Sequence, residues 1–444
     1  LSVVPGRLSF ICRIQILESW EAFLAQRNLM LEMNYADVEI MAPAGSFEAL
    51  SAAIHAGCHS VYFGVEQLNM RARSSINFTT EDLVTITKQC ADHNVKTYLT
   101  LNTILYDHDI RLMQDIIDCA KESGVTAIIA ADHAAMAYCK EVGMPVHLST
   151  QANVSNIETV QFFAAYADVI VLARELSLSQ VANIIAAIKR KEIRGPSGEL
   201  VKIEVFAHGA LCMAISGKCY LSLHSHNASA NRGACIQNCR KEYIVTSKED
   251  GIELEIDNEY IMSAKDLCTI GFLDKILDAG VSVLKIEGRG RSADYVDTVV
   301  RCYRQAVDAL QDGTYSPEKI EQWTTELTKV YNRGFWDGYY LGRTMGEWSD
   351  AYGSKATEKK IHIGQCVKYY PRIKVGEFVI ASHSLQKGDQ ILVTGPATGV
   401  TRSQVKALRV DDREVESVQK GDLFTLPMPE PIRPKDKIYK VVDA

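Results

Sequence analysis

From residue 38 onward, short apolar runs alternate with amphipathic stretches, and the pattern repeats eight times. The runs cover 38–42, 60–64, 96–101, 127–131, 146–149, 169–172, 203–206 and 283–286. Short runs of β-branched and aromatic residues are what strands covered on both faces need. The intervening stretches 46–56, 81–93, 109–123, 157–167 and 179–188 space their apolar residues three and four apart, as a helix with one buried face does. Gly57, Gly124, Gly143 and Gly280 follow helical stretches, where a left-handed residue commonly ends a helix. Apolar strands alternating with helices of this length predict a parallel sheet, and eight units predict a closed (β/α)8 barrel of the TIM type. A doubly wound open sheet is the alternative, but no glycine-rich dinucleotide fingerprint follows the first run.

The pattern also divides the chain. It is regular only after Met33, so residues 1–36 read as an extension and 37–331 as the barrel. Residues 207–262 interrupt the barrel after the seventh strand, with extra strands expected at 242–255 and 260–262. Helices are expected again at 273–279, 295–310 and 321–331. Residues 332–359, rich in glycine and aromatics, read as a linker packed on the barrel. Beyond 360 the texture changes to short β runs at 361–369, 377–381, 389–394, 405–410 and 422–426, punctuated by Gly376, Gly388, Gly395 and Gly421. Residues 360–444 therefore read as a small all-β barrel.

The interruption holds the most unusual chemistry. Its sequence, EVFAHGALCMAISGKCYLSLHSHNASANRGACIQNCRKEY, carries Cys212, Cys219, Cys235 and Cys239 with six, fifteen and three residues between them. Glycine, serine and asparagine surround them, which marks irregular backbone and not a periodic core segment. Buried cysteine is often only a small apolar residue, and Cys58, Cys90, Cys119, Cys139 and Cys302 fit that description inside amphipathic stretches. Four thiols gathered in one loop of a reduced protein instead suggest a bound metal. Structural zinc sites use two tight pairs, and only Cys235 and Cys239 form one, so an iron–sulfur cluster on four thiolates fits better. His208, His224 and His226 lie nearby as lesser zinc candidates.

If the barrel is right, its C-terminal strand ends share one pocket. Those ends place Asn69, Arg71 and Arg73 after strand two, Asn102 after strand three and Asp132 and His133 after strand four. Gln151 and Asn153 follow strand five, Arg174 and Glu175 strand six, His208 strand seven, and Glu287 and Arg289 strand eight. Amides and arginines dominate, and a guanidinium reads carboxylate or phosphate with a planar two-point fork, so an anionic ligand is expected. Each position alone would equally serve as a helix cap or a surface residue.

Composition narrows the classes. The 444 residues are 47% hydrophobic and 23% charged with net charge −7, an ordinary globular balance that excludes binding of polyanions by bulk charge. No apolar run approaches the ~20 residues of a membrane span, and no cleavable leader is evident, so a cytoplasmic location is expected. Neither an H-E-x-x-H zinc motif nor a G-x-S-x-G nucleophile elbow is present.

The stretches MAPAGSFEALSAAIHAGCHSVYFG, NMRARSSINFT, LSTQANVSN, HGALC followed six residues later by CYLS, and VLKIEGRGRS closely resemble the collagenase-like peptidase family U32. The resemblance runs from about residue 38 through the C-terminal β module and is most similar to the branch of the family that acts on tRNA. It implies prephenate-dependent 5-hydroxylation of the wobble uridine of tRNA. Ribosomal RNA, a quinone precursor or a peptide is the alternative substrate. It also implies a [4Fe–4S] cluster on Cys212, Cys219, Cys235 and Cys239, with Cys268 the rival for the fourth position. Implied partners are tRNA and the dicarboxylate prephenate, with homo- or hetero-oligomers admitted. Arg71, Arg73, Arg174 and Arg289 are the expected forks for its carboxylates, and Asn102, Gln151, Asn153, His208 and Glu287 complete the expected pocket. Tyr62, Phe63 and Arg240 offer planes for an unstacked base.

Overall fold

The computed structural model describes residues 35–73, 77–215, 217–243, 262–342, 346–350 and 353–444. The expected alternation is realised. Strands β1 (Glu39–Pro43), β2 (Ser60–Phe63), β3 (Lys96–Leu101), β4 (Ala127–Ala130), β5 (Val146–Leu148), β6 (Val169–Val171) and β7 (Lys202–Ala210) pair in parallel, each with the next. After β8 (Asp266–Cys268), strand β9 (Val283–Ile286) closes the ring: Leu284 sits opposite Ile40 of β1 on one side and Val205 of β7 on the other. Eight parallel strands thus form a closed (β/α)8 barrel.

The helices between strands pack on its outside, and they do so because their starts and stops are written locally. Ser46 caps α1 (Phe47–His55), Asp132 caps α4 (His133–Val142) and Ser177 caps α6 (Leu178–Lys191) by accepting backbone N–H groups of the first turn. Gly143 ends α4 at φ +73°, a conformation that costs most residues a Cβ clash. Helix α4 holds Cys139 and stops at Gly143, as the sequence suggested.

The barrel interior is partly polar. Met41, Tyr62, Tyr98, Ala127, Ile129, Val169 and Val283 form its apolar filling. Between them, Lys285 donates to Glu204 at 2.7 Å, His147 lies 3.7 Å from the same carboxylate, and Tyr98 donates to Glu39 at 2.7 Å.

The seventh strand runs past its expected end. A bulge between Phe206 and His208 carries β7 out of the barrel, where its last residues pair antiparallel with β8. Phe335–Trp336 adds to β8 in parallel, and Trp348 bridges to Ala264. Residues 332–342 and 346–350 therefore pack beside β8, where a linker packed on the barrel was expected. The extra strands expected at 242–255 and 260–262 fall almost wholly outside the described residues.

The C-terminal domain is an eight-stranded antiparallel sheet with its own core, including Ile363, Phe378, Phe424 and Ile438. Its last strand, Lys437–Asp443, lies centrally between Glu358–Tyr370 and Gln390–Gly395, a pairing that the five expected β runs did not include. The domain docks on the barrel's outer face. Gly399, at φ +66°, lies so near Ala52 of α1 that a Cβ would meet its backbone nitrogen at 2.8 Å. Lys360 forms an ion pair with Asp294, on the first turn of the helix that follows β9.

Candidate functional site

The C-terminal strand ends and the cysteine-bearing insertion enclose one cavity of about 260 Å³. Cys212, Cys219, Cys235 and Cys239 all line it, together with Arg71, Asn102, Gln151, Arg174, Glu287 and Arg289 of the expected pocket. Seven cations face it: Arg71, Arg174, Arg240, Lys285, Arg289, Arg291 and Arg333. Glu287 is the one carboxylate among the described lining residues. In a chain of net charge −7 this is a strongly electropositive hollow.

Glu287 organises that charge. It extends from the end of β9 and accepts Nη2 of Arg71 at 3.0 Å and the Tyr62 hydroxyl at 3.1 Å. Burial works to raise its pKa, but Arg71, Arg174 and Arg289 overcome this and hold the carboxyl down at about 2. Arg289 is buried and donates to Asn69 at 3.1 Å and to Thr100 at 2.7 Å. Desolvation lowers its pKa to about 10, and it still carries its charge at neutral pH. The fit is tight: a Cβ on Gly64 would lie 2.4 Å from the Arg289 guanidinium. Asn102 binds the backbone of Met70 and donates to Ser149 and Gln151, tying together the loops after β2, β3 and β5.

Arg174 differs from its neighbours. Its guanidinium lies 3.7 Å above the Phe206 ring, one nitrogen donates to the Ala210 carbonyl at 3.2 Å, and its buried Nε has no partner. Its one hydrogen bond goes to a backbone carbonyl, whereas Arg71 is paired with Glu287 and Arg289 is bonded to two side chains.

The four thiols come together because the insertion folds over the barrel mouth. Arg232 pairs with Asp109 and lies 4.3 Å over the Tyr106 ring, anchoring it to the loop after β3. Arg240 donates to the carbonyls of Leu211 and Ala264, each at 2.6 Å, stapling the two ends of the insertion. Burial raises the Cys239 pKa, Arg240 opposes that shift, and Cys212, Cys235 and Cys219 add to it. Arg71 in turn feels Cys235, so the thiols and the Glu287 network are electrostatic neighbours. Cys268 stands apart in β8: burial pushes its thiol up to about 11, its side-chain partner is Tyr303, and it does not line the cavity. Among the described residues no three His, Cys, Asp or Glu side chains are placed to hold a metal ion.

Several expected residues lie elsewhere. Arg73 is exposed beyond the rim, with its backbone bonded to Gly233. Asn153 ends a short 3-10 turn at φ +54° and does not line the cavity. His208 was placed by assuming that strand seven ends at 206. The bulge instead turns its ring into an aromatic layer of Tyr295, Tyr303 and Phe335, where desolvation lowers its pKa to about 3. Asp132 is a helix cap. Phe63 packs against Phe78 in the core outside the strands. Arg240 is held by the backbone carbonyls of Leu211 and Ala264 at the cavity wall. Sequence reasoning missed Lys285, whose signal is a lysine inside an otherwise apolar strand, two residues before Glu287 and on the same face.

A family model described as peptidase family U32 matches residues 45–350. The chain belongs to that family, on a barrel whose mouth carries four thiols and an arginine-rich hollow. A protein named collagenase, from Porphyromonas gingivalis, is 56% identical over 408 residues, which is 92% of this chain and 99% of that one. The tRNA hydroxylation protein P of Helicobacter pylori is 34% identical over 321 residues, covering 69% of this chain and 72% of the relative. The solved structure of a U32 peptidase aligns over 39% of this chain and 70% of its own, at 14% identity and a TM-score of 0.32. No helix among the described residues is long and apolar enough to cross a membrane.

Proposed function

We propose that the protein is an iron–sulfur RNA-modifying enzyme that hydroxylates the 5-position of the wobble uridine of tRNA, with prephenate as co-substrate. The observation that carries this reading is the shared cavity, in which four thiols and seven cations surround a single carboxylate. The donor set fits a [4Fe–4S] cluster, which four cysteines normally hold. The described lining contains no histidine, and its carboxylate is tied to Arg71 and Tyr62, which leaves the four thiols as its free soft donors. Cys212, Cys219, Cys235 and Cys239 would hold it, and Cys268 would not. Such a cluster, when bound, supplies the electron-transfer chemistry.

The protein's own side chains then bind and orient. Arg174 is the fork for a carboxylate of the small dicarboxylate, because Arg71 and Arg289 are already spent on Glu287, Asn69 and Thr100. Lys285, on the floor 4.6 Å from the Tyr62 ring, is taken by Glu204 at 2.7 Å and adds to the field of the hollow without a free donor fork. The relatives named for tRNA and for ribosomal RNA hydroxylation both support an RNA substrate, and tRNA is preferred because the match spans 72% of the tRNA-acting relative and 46% of the ribosomal one.

The second reading is a peptidase, favoured by the collagenase-named relative at 56% identity. Hydrolysis by a side-chain nucleophile needs a base within hydrogen-bond reach. Among the described lining residues, the Ser149 hydroxyl bonds Gln151 and Ser222 accepts the Ile236 N–H, with no histidine beside either.

Nucleoside mass spectrometry of tRNA from cells with and without the gene separates the two. Hydroxylated wobble uridine should require the wild-type chain and disappear with Cys212→Ala. Unchanged tRNA, with gelatin cleaved equally by wild type and Cys212→Ala, would establish the peptidase instead.

A further inference from the structure

Between Glu204 and Glu242 the chain runs for 37 residues, 205–241, without a single aspartate or glutamate, yet carries Lys218, Arg232, Arg240 and Lys241. The overall charge is −7, so this stretch departs from the rest of the molecule. It is also where the surface turns apolar. Of the fourteen large apolar residues exposed among the described ones, five lie between 213 and 236: Met213, Ile215, Tyr220, Leu221 and Ile236. Tyr220 is 76% exposed, the most of them all.

Two of these residues line the cavity, and Tyr220 stands between the lining residues Cys219 and Leu221. Met213 and Leu221 are among its lining, and the Ile236 N–H bonds Ser222 at 2.9 Å, which fixes that side of the rim next to Leu221. Exposed Lys218 and Lys241 stand on the same insertion, with exposed Arg73 bonded through its backbone to Gly233. Asp107, Glu175 and Glu242 are exposed carboxylates on the described loops around the mouth, and the rest of the insertion, 243–262, carries six further acidic residues in its sequence. Behind the rim lie the seven cations of the hollow.

An exposed aromatic ring among apolar side chains, bordered by lysines and opening on a cationic cavity, matches how single-stranded nucleic acid is held. Bases stack on aromatic faces while cations track the phosphates. We propose that the insertion's rim docks an unpaired RNA segment, with Tyr220 stacking a base at the entrance and Lys218 and Lys241 meeting its backbone. This rests on the RNA reading above and adds the surface that admits the base. A protein partner would be met equally well by the apolar residues, but it would have to bring its own carboxylates to Lys218, Lys241 and the cationic hollow behind them, which a nucleic-acid backbone does by its nature. The RNA must be single-stranded there, because a paired base cannot present its face.

The test is fluorescence anisotropy on the full, anaerobically isolated chain. The probe is a fluorescein-labelled 17-nucleotide RNA hairpin with a seven-nucleotide loop, titrated at several salt concentrations beside a blunt duplex of the same composition. Wild type should prefer the hairpin. Tyr220→Ala should weaken hairpin binding about tenfold with little change in salt slope, and Tyr220→Trp should restore it, since a stacked base is held by the ring. Lys218→Ala and Lys241→Ala should each lower the salt slope by about 0.7, the single-strand value per phosphate contact. Iron content of each variant, equal to wild type, shows that the neighbouring Cys219 is undisturbed.

Hairpin binding by Tyr220→Ala equal to wild type would overturn the proposal, as would equal affinity for duplex and hairpin. A homodimer that Tyr220→Ala dissociates while RNA affinity stays unchanged would assign the rim to a second copy and overturn it too. Wobble-uridine analysis in cells distinguishes the two levels. Modification supported by wild type and Tyr220→Ala alike sinks the docking surface alone. No modification by wild type sinks the functional reading.

Discussion

Arg71 and Glu287 meet across the barrel mouth, with Nη2 of the arginine 3.0 Å from Oε1 of the carboxylate. They come from the loops after β2 and β9, strands that flank β1 on either side, so the pair bridges the closure of the barrel. The same carboxylate neutralises part of the field of Arg174 and Arg289. One side chain thus permits three cations to share a small, poorly solvated space.

Glu287→Gln keeps the shape and removes that charge. The arginines are then left without a counter-ion, and the loss should be about 3 kcal/mol of stability at neutral pH, the value of a shift from 4.5 to about 2. The Glu287 pKa falls from 4.5 to about 2 on folding, so its contribution is complete above pH 4.5 and fades as pH falls toward 2. Urea melts of the two proteins should differ most above pH 5 and converge near pH 2. A constant difference across that range would contradict the charge argument.

Glu204→Gln tests the barrel interior. The carboxylate is fully buried and holds Lys285 at 2.7 Å, with His147 beside it. Burial disfavours its charge, but Lys285 and His147 more than compensate and lower its pKa. Removing it strands a buried ammonium, for an expected cost of about 3 to 5 kcal/mol. The pair Glu204→Leu with Lys285→Met should lose far less, and a double-mutant cycle in denaturant reads the difference. Equal losses in both would mean that the charge pairing is not what matters.

Much of this was legible in the sequence, for identifiable reasons. The eight barrel strands show because strands covered on both faces are nearly uninterrupted apolar runs, and the thiols show because four cysteines in glycine- and serine-rich loop have no packing explanation. What stayed hidden was geometry that no local pattern encodes. The three-residue strand Asp266–Cys268 is too short to have a period, yet it draws β7 out of the barrel and rotates His208 into the core. Lys285 reads as an interruption in an apolar run until the barrel places it two residues from Glu287 on the inner face. Arg73 follows Arg71 by two residues, and the turn between them sends the two to different places.

The fate of His208 has its own signature. Its pKa drops from 6.5 to about 3 on folding, so the unfolded chain binds the extra proton between those values and stability rises with pH across that window. Going from pH 6.5 to 5 should remove about 1.5 kcal/mol through this residue alone. His208→Leu should flatten that part of the profile and leave substrate turnover intact, because the ring does not face the cavity. A variant that folds with the wild-type pH slope would show that the imidazole is not desolvated.

Arg174 is predicted to act on ligand and hardly on folding. Arg174→Ala gives up one bond to the Ala210 carbonyl and the stack on Phe206, both at the rim of the core. Loss of a charge-assisted fork should weaken binding of prephenate by roughly tenfold to a hundredfold, and Arg174→Lys should recover only part, since a point charge cannot make the two-point contact. Calorimetric titration with prephenate reads this. Unchanged affinity would remove Arg174 from the anion site.

The most direct test of the central claim is the iron and acid-labile sulfide content of protein isolated without oxygen, measured for wild type, Cys239→Ser and Cys268→Ser. The account predicts about four irons and four sulfides per chain in wild type and in Cys268→Ser, as four-cysteine ligation of a [4Fe–4S] cluster requires, and a marked loss in Cys239→Ser. Zinc in place of iron, no metal at all, or a loss confined to Cys268→Ser would contradict it.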